Sequence, residues 1–388
     1  MISNRNNPAP VSLAIGGMLA MAAAMGIGRF VYTPILPMMV EQAGLSAAQA
    51  GMIASSNFLG YMLGAMIAAT SILKGSPRAW LLAALTASTV STTLMAWTDS
   101  YMQFLLVRFI GGLVSSWVLV FASALVIERL VSAGRGELTA VLFAGVGVGI
   151  ILASVLTSFA AAGGGNWRTA WLYSGVLGLL LVGIVALLVP DKEPAAVASG
   201  KSDTAGEGAI GSLLGAYALF GFGYVVTATF IVQLVRSADY SLVVETWIWV
   251  LVGITAAPSI WLWNKVASRL GNSRTFAIAC VIEALGVAAS VLVDNLGGLI
   301  FAAVVLGATF MGITAMGLVE ARARTTRDPR HTLAMMTAAF GLGQIIGPGV
   351  AGYMRDASGS FLLPTLLAAC ALIMAAILVQ LRGTAKHA

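Results

Sequence analysis

Three ionisable side chains stand deep inside long apolar runs: Arg29, Arg108 and Glu283. At the centre of a bilayer such a group costs at least ~2.5–3.5 kcal/mol, so each needs a partner or a task. At about 1.5 Å of helix rise per residue, Arg29 lies roughly 5 Å and Arg108 roughly 10 Å beyond the middle of its run, toward the same side. No Asp or Glu stands in the middle of helices 1, 2, 4 or 5 to neutralise them. Guanidinium pairs bidentately with carboxylates and similar anions, so a small anion is a natural counter-ion. The competing reading is that each arginine donates to main-chain carbonyls and nearby hydroxyls. Glu283, mid-run in helix 9, is a candidate proton carrier, because burial favours the neutral form of a carboxyl. Its plainer reading is a protonated acid hydrogen-bonded to a neighbouring helix.

Tyr32, Asn57, Tyr61, Tyr224 and Gln344 are further polar or amphipathic groups inside apolar runs. In a cavity they would orient a small solute; elsewhere they would tie helices together. Met21-x₃-Met25, Met62-x₃-Met66 and His331-x₃-Met335 have spacings a soft metal such as Cu(I) could use. With 17 methionines in an apolar chain such spacings arise by chance, and packing is the simpler account. There is no phosphate-binding loop, no other cluster of metal ligands and no nucleophile–base pair, so neither a cofactor nor catalysis is expected. Gly26-x-Gly28 lies within a helix, outside the strand-turn-helix setting that a dinucleotide fingerprint needs.

The elements that must hold these residues are membrane helices. Hydrophobic residues make up 59% of the chain and charged ones only 9%, with a mean hydropathy of +0.94. A soluble domain carries roughly a quarter charged residues. Each bilayer crossing takes about 20 apolar residues, and the runs are continuous, unlike the alternating strands of a barrel. Helices are expected at 11–40, 47–73, 79–97, 101–130, 138–162, 168–189, 211–236, 245–268, 275–293, 296–320, 332–354 and 361–381. The first is too long for a signal-peptide core and reads as a retained helix. Cys280 and Cys370 fall inside runs as inert thiols.

Loop charge sets the orientation. Of the 21 Lys and Arg residues, sixteen fall on one side and only Arg168, Arg236 and Arg355 on the other. The rich side is expected to be cytoplasmic, with both termini on it. That distribution also accounts for the net charge of +6 without nucleic acid.

The chain repeats itself. Gly26-Ile-Gly28-Arg29 matches Gly221-Phe-Gly223-Tyr224 at an offset of 195, and Gly75-x-x-Arg78 matches Gly271-x-x-Arg274 at 196. Glu128-x₆-Arg135 matches Glu320-x₆-Arg327 at 192, and Gly145-x₃-Gly149 matches Gly343-x₃-Gly347 at 198. Four matches in order point to two parallel halves, a transporter design with the substrate site near the midplane between them. The expected organisation is a six-helix bundle over 1–189, a cytoplasmic linker over 190–210 and a second six-helix bundle over 211–388.

At these residues the sequence resembles the major facilitator superfamily over essentially its whole length. Ala267-Ser268-Arg269-Leu270-Gly271 is similar to the superfamily's loop motif, Arg108 with Gly112 to its helix-4 motif, and Gly343-Gln344-Ile345-Ile346-Gly347-Pro348 to its glycine-proline motif. More narrowly, Gly26–Pro34 and Leu59–Ala65 resemble the YbfB/YjiJ-type branch. Ser268 replaces the usual loop aspartate, and Leu73–Arg78 has none.

The resemblance implies twelve transmembrane helices in an all-α membrane protein, with helices 1 and 4 lining a central cavity and helix 9 peripheral. It implies a cytoplasmic gate of Arg78, Glu128, Arg135, Arg269, Gly271, Arg274, Glu320 and Arg327, with Glu128/Arg135 and Glu320/Arg327 as ion pairs. Ordinary positive-inside loop charge is the alternative. It also implies a monomer in a bacterial inner membrane, working by alternating access on the proton gradient. The expected partners are the lipid bilayer, protons and a small, anionic solute. An efflux pump for amphipathic compounds is the leading rival; a non-transporting solute receptor is another.

Overall fold

Polar residues at the ends of apolar runs fix where the helices begin. The computed structural model describes residues 9–70, 72–191, 210–325 and 329–381. In it, Ser46 accepts from the Gln49 amide while Gln49 reaches back to the Ser46 amide, and Ser100 and Gln103 repeat the arrangement. Asn166 accepts from the amides of Arg168 and Thr169. These side chains satisfy donors that a helix start leaves without an intrahelical partner.

Among the described residues, eleven helices are long and apolar enough to cross a bilayer, and a bent pair makes a twelfth. In chain order, spans 1–6 are Pro10–Ala43, Ala47–Ala68, Pro77–Trp97, Tyr101–Ser132, Gly136–Ala162 and Trp167–Leu188. Span 7 is Ile210–Ser237 and span 8 is the bent pair, Leu242–Ala256 with Ser259–Leu270. Spans 9–12 are Asn272–Leu292, Leu296–Ala323, His331–Ser358 and Leu362–Gln380. No strand occurs among the described residues. Large apolar side chains remain exposed on the outside, Leu187 at 85% and Phe159 at 69%, as a lipid-facing surface requires. Most of the 190–210 segment lies outside the described residues.

Two helices expected to be continuous are broken. Span 1 runs as an α-helix over Pro10–Met21 and widens over Ala22–Ile27. There Gly28 N–H reaches the Ala23 carbonyl at 2.8 Å, five residues back. The chain then turns and resumes as a helix over Tyr32–Ala43. Pro34 has no amide to offer the Phe30 carbonyl, which takes the Thr33 amide at 3.3 Å instead. Span 8 bends by 45° at Ala257-Pro258, for the same reason.

The first six spans meet the last six along three lines. Span 2 packs on span 11, and span 5 on span 8. At Gly51 an added Cβ would stand 2.0 Å from the Pro348 carbonyl oxygen, and at Gly147 2.4 Å from that of Gly253. Such backbone contact excludes any side chain. Shifting by six spans exchanges one packing pair for the other, as two-fold related halves demand. The third line is span 1 against span 7. There the Thr33 hydroxyl donates to the Ala228 carbonyl at 2.7 Å. These residues are 195 apart, the offset that relates Gly26 to Gly221. Equivalent residues of two related halves can touch only beside the axis that relates them.

Candidate substrate site and gates

The break in span 1 leaves main-chain carbonyls without helical donors, and Arg108 fills that deficit. From span 4 its two Nη atoms donate to the Gly28 and Arg29 carbonyls at 2.9 and 3.0 Å. Its guanidinium also lies over the rings of Tyr32 (5.2 Å) and Trp171 (5.6 Å). The Asn57 amide in turn donates to the Arg108 carbonyl at 2.8 Å, and the Tyr32 hydroxyl donates to the Ala50 carbonyl at 2.9 Å. Arg108, Asn57 and Tyr32 therefore brace spans 1, 2 and 4 against one another.

Arg29 is different. It is 4% exposed, yet Nε and Nη2 have no hydrogen-bond acceptor. Its guanidinium carbon sits 4.3 Å from the Tyr61 ring centre, 4.5 Å from that of Phe58 and 5.6 Å from that of Phe30. Rings ease the cation's burial but supply no negative charge. Arg29 and Arg108 line a small cavity with Phe58 of span 2 and with Ala228 and Thr229 of span 7, so the site lies between the first six and the last six spans. About 10 Å³ is left there for water centres, room for about one water.

Across the interface, Gln344 Nε2 donates to the Tyr224 hydroxyl, while Gln344 Oε1 is buried without a partner. The Tyr224 ring lies nearly parallel to those of Phe310 (5.8 Å, 6°) and Phe340 (5.7 Å, 2°). Phe30 meets Phe310 edge-on at 6.0 Å, joining the two aromatic groups. Tyr224 lies within electrostatic reach of Arg29, Tyr61 and Glu283. Glu283 is fully buried, and neither carboxylate oxygen has a hydrogen-bond partner. Thr309 lies beside it but gives its hydroxyl to the Val305 carbonyl at 2.7 Å.

A larger hollow of about 590 Å³, lined by Gln42, Asp99, Asn166 and Arg168, lies elsewhere, within the first six spans at the end where loop arginines are few. Arg168 is already engaged there by Asp99 and by the Ala96 and Thr98 carbonyls. Of the groups with unpartnered atoms, Arg29 and Arg108 line the smaller cavity.

The gate residues expected from the resemblance pair differently. Arg135 joins Glu137 and not Glu128, whose Oε1 is buried without a hydrogen-bond partner. Glu320 binds Arg324 at 2.7 Å and accepts from Ser273 at 2.6 Å. Arg327 lies outside the described residues. Arg78 donates to the Val189 and Ala186 carbonyls. Arg269 and Arg274 are exposed, and Gly271, at φ +80°, makes the turn between spans 8 and 9. The ion pairs Arg135–Glu137 and Glu320–Arg324, at the arginine-rich end, each stay within one half of the chain.

Among the described residues, the charged links between the halves are at the opposite end, on residues the motifs did not flag. Arg236 of span 7 binds Glu245 of span 8 through two nitrogens and Glu41 of span 1 at 2.6 Å. Asp356 of span 11 accepts from the Ala47 and Ala48 amides, at 3.1 and 2.8 Å, at the start of span 2. A sequence signal existed: Glu41 and Arg236 are opposite charges separated by the repeat offset of 195.

A family model described as "Uncharacterised MFS-type transporter YbfB" matches residues 21–380. A Bacillus subtilis (strain 168) protein described as "Uncharacterized MFS-type transporter YceJ" is 26% identical over 350 residues, 87% of this chain and 88% of the relative. Among solved structures, the nucleoside transporter NupG superposes with a TM-score of 0.71 at 17% identity, covering 95% of this chain and 98% of that one. The D-xylose-proton symporter gives 0.73 at 15% identity, covering 96% of each. At such identities the structural likeness is one of fold.

Proposed function

Since the chain belongs to the YbfB-type family of major facilitator transporters, we propose that its cargo is a small organic anion moved by proton-coupled alternating access. The observation carrying this reading is Arg29, a buried guanidinium with two unpartnered nitrogens at the interface of the two halves. An uncompensated buried charge is costly, and a bound carboxylate would remove that cost. Arg108, engaged with the broken helix, holds the main chain that presents Arg29. Tyr61, Tyr224 and Gln344 complete the site, while Tyr32 and Asn57 support it.

Glu283 is the proposed proton site. It is buried without a hydrogen-bond partner, and Tyr224 lies within electrostatic reach of both Glu283 and Arg29. The halves are bundles over 1–189 and 211–388, joined by a linker over 190–210, and the protein works as a monomer. The loop-charge asymmetry supports an orientation with the arginine-rich end and both termini in the cytoplasm, and the membrane proposed is the inner membrane of a bacterial cell. Glu41–Arg236 and Asp356 then form a closed periplasmic gate.

The test is a thermal-shift screen of purified protein against a broad solute library, with Arg29→Ala in parallel, because a binder stabilises the native state by mass action. Carboxylates stabilising the wild type but not the variant are the expected result. Stabilisation only by neutral or cationic amphiphiles, equal in the variant, overturns the anion reading and favours efflux of amphipathic compounds.

A further inference from the structure

The cavity around Arg29 constrains its ligand by charge, by shape and by one distant polar group. We propose that this ligand is an aromatic monocarboxylate bearing a hydroxyl or amino group away from the carboxylate. The inference rests on the anion reading above and narrows it.

Charge comes first. Of the two arginines that line the cavity, Arg108 has both Nη atoms engaged by carbonyls and only Nε left unpartnered, while Arg29 keeps both Nε and Nη2 unpartnered. One unpaired guanidinium matches one carboxylate. A second carboxylate would find only the Nε of Arg108, because both Nη atoms hold the main chain, and a single donor cannot make the bidentate pair that a buried carboxylate needs.

Shape comes second. On one side Arg29 rests on the faces of Tyr61 and Phe58. On the other, Phe310, Tyr224 and Phe340 present near-parallel rings from spans 10, 7 and 11. Phe30 bridges the two groups through its edge-on contact with Phe310. In the closed form the rings fill the space themselves, leaving room for about one water. When the halves part, two aromatic walls separate, and a flat ring restores offset or edge-to-face contacts that a puckered ring cannot.

The third constraint is Gln344. It is fully buried, bonds Tyr224 through one amide atom and leaves the other without a partner. That free atom is the amide oxygen, so a hydroxyl or amino group on the ring's far side would donate to it.

The experiment is titration calorimetry on the purified full-length protein with 4-hydroxybenzoate, benzoate, cyclohexanecarboxylate and terephthalate, on wild type, Arg29→Gln and Gln344→Leu. 4-Hydroxybenzoate should bind tightest. Losing the hydroxyl should weaken binding ~5- to 10-fold, as a neutral hydrogen bond is lost. Replacing the aromatic ring of benzoate by cyclohexane should weaken it about 2- to 10-fold more. Terephthalate should bind more weakly than benzoate. Gln344→Leu should equalise 4-hydroxybenzoate and benzoate, and Arg29→Gln should abolish binding of both. If cyclohexanecarboxylate or terephthalate binds as tightly as benzoate, and the binding is still lost in Arg29→Gln, the aromatic-monoanion inference falls while the anion reading stands. If no carboxylate binds, or binding survives Arg29→Gln, both fall. The wild-type ligand series decides the ring and charge questions even if a variant fails to fold.

Discussion

Releasing the links at the arginine-poor end should open that end, and the geometry sets the size of the effect. The perturbation is Asp356→Ala combined with Glu41→Gln. Asp356 accepts two amide hydrogen bonds from the start of span 2, at 3.1 and 2.8 Å. An acidic acceptor at a helix start contributes about 1–2 kcal/mol, as N-caps and dipole pairs do. Glu41 and Arg236 are partly exposed, so their pair adds about 0.5–1 kcal/mol. Together these links favour closure by roughly 1.5–3 kcal/mol, so removing them should raise the open population about 10- to 100-fold. Glu41 is the partner to change, because Arg236 must stay to neutralise Glu245, only 4% exposed. The assay replaces Ala228, in the central cavity, by cysteine in a background lacking Cys280 and Cys370. It then follows labelling by a membrane-impermeant maleimide added on the periplasmic side of right-side-out vesicles. The labelling rate should rise by the same factor. An unchanged rate would refute the assignment of these contacts as a gate.

Other perturbations test other parts of the structure. Arg236→Gln strands Glu245 and should destabilise the protein by about 3–5 kcal/mol in thermal melts, with Glu245→Gln in the same chain restoring most of the loss. Gly51→Ala drives a methyl into the Pro348 carbonyl, 2.0 Å from the built Cβ. It should cost the closed state about 1–3 kcal/mol and so raise the same Ala228→Cys labelling. Arg108→Gln should lose about 2–4 kcal/mol of stability with the bonds to the Gly28 and Arg29 carbonyls, and Arg108→Lys should not rescue it, because an ammonium cannot span two acceptors as a fork does. Glu283→Gln keeps the shape of the neutral acid, so melting should change by less than about 1 kcal/mol, since no hydrogen bond to the acid is lost. Substrate-driven acidification in proteoliposomes with a trapped pH dye should vanish, and its persistence would remove Glu283 from the proton path.

The membrane fold was legible because hydropathy runs and loop charge are one-dimensional signals. Span ends deviate from expectation by little more than a helical turn. The break at 28–31 was not, since it depends on which carbonyls Arg108 reaches from a helix 80 residues away. Pro34 and Pro258 stand at the two breaks, but no residue type signals the change of winding at Ala22–Ile27. Arg29 and Arg108 share one cavity, as their depth suggested, yet their roles diverge through contacts with no sequence signature. Tyr32 and Asn57 tie helices together, the alternative that polar residues inside membrane helices always carry, while Tyr32 also lines the cavity. Arg135 takes the nearer Glu137 in the turn after span 4 instead of Glu128, and Glu320 binds Arg324 one helical turn on, while Arg327 lies outside the described residues. Motif spacing carries no information about such nearer competitors.

The contact between Glu41 and Arg236 bears on how a chain like this could arise. If the two halves descend from one ancestral six-helix unit, that unit would have paired with an identical copy across the same axis. Each residue beside the axis would then have met its own twin: glutamate facing glutamate, or arginine facing arginine. Neither pairing attracts. A charged link at this spot became available only once both copies lay in one gene and could mutate separately. Elsewhere on the interface an identical pair of subunits could have evolved complementary charges, because residues away from the axis meet different partners. On that descent the Glu41–Arg236 contact is a link that only fusion makes possible, and grafting either half's version onto both sides would set like charges against each other.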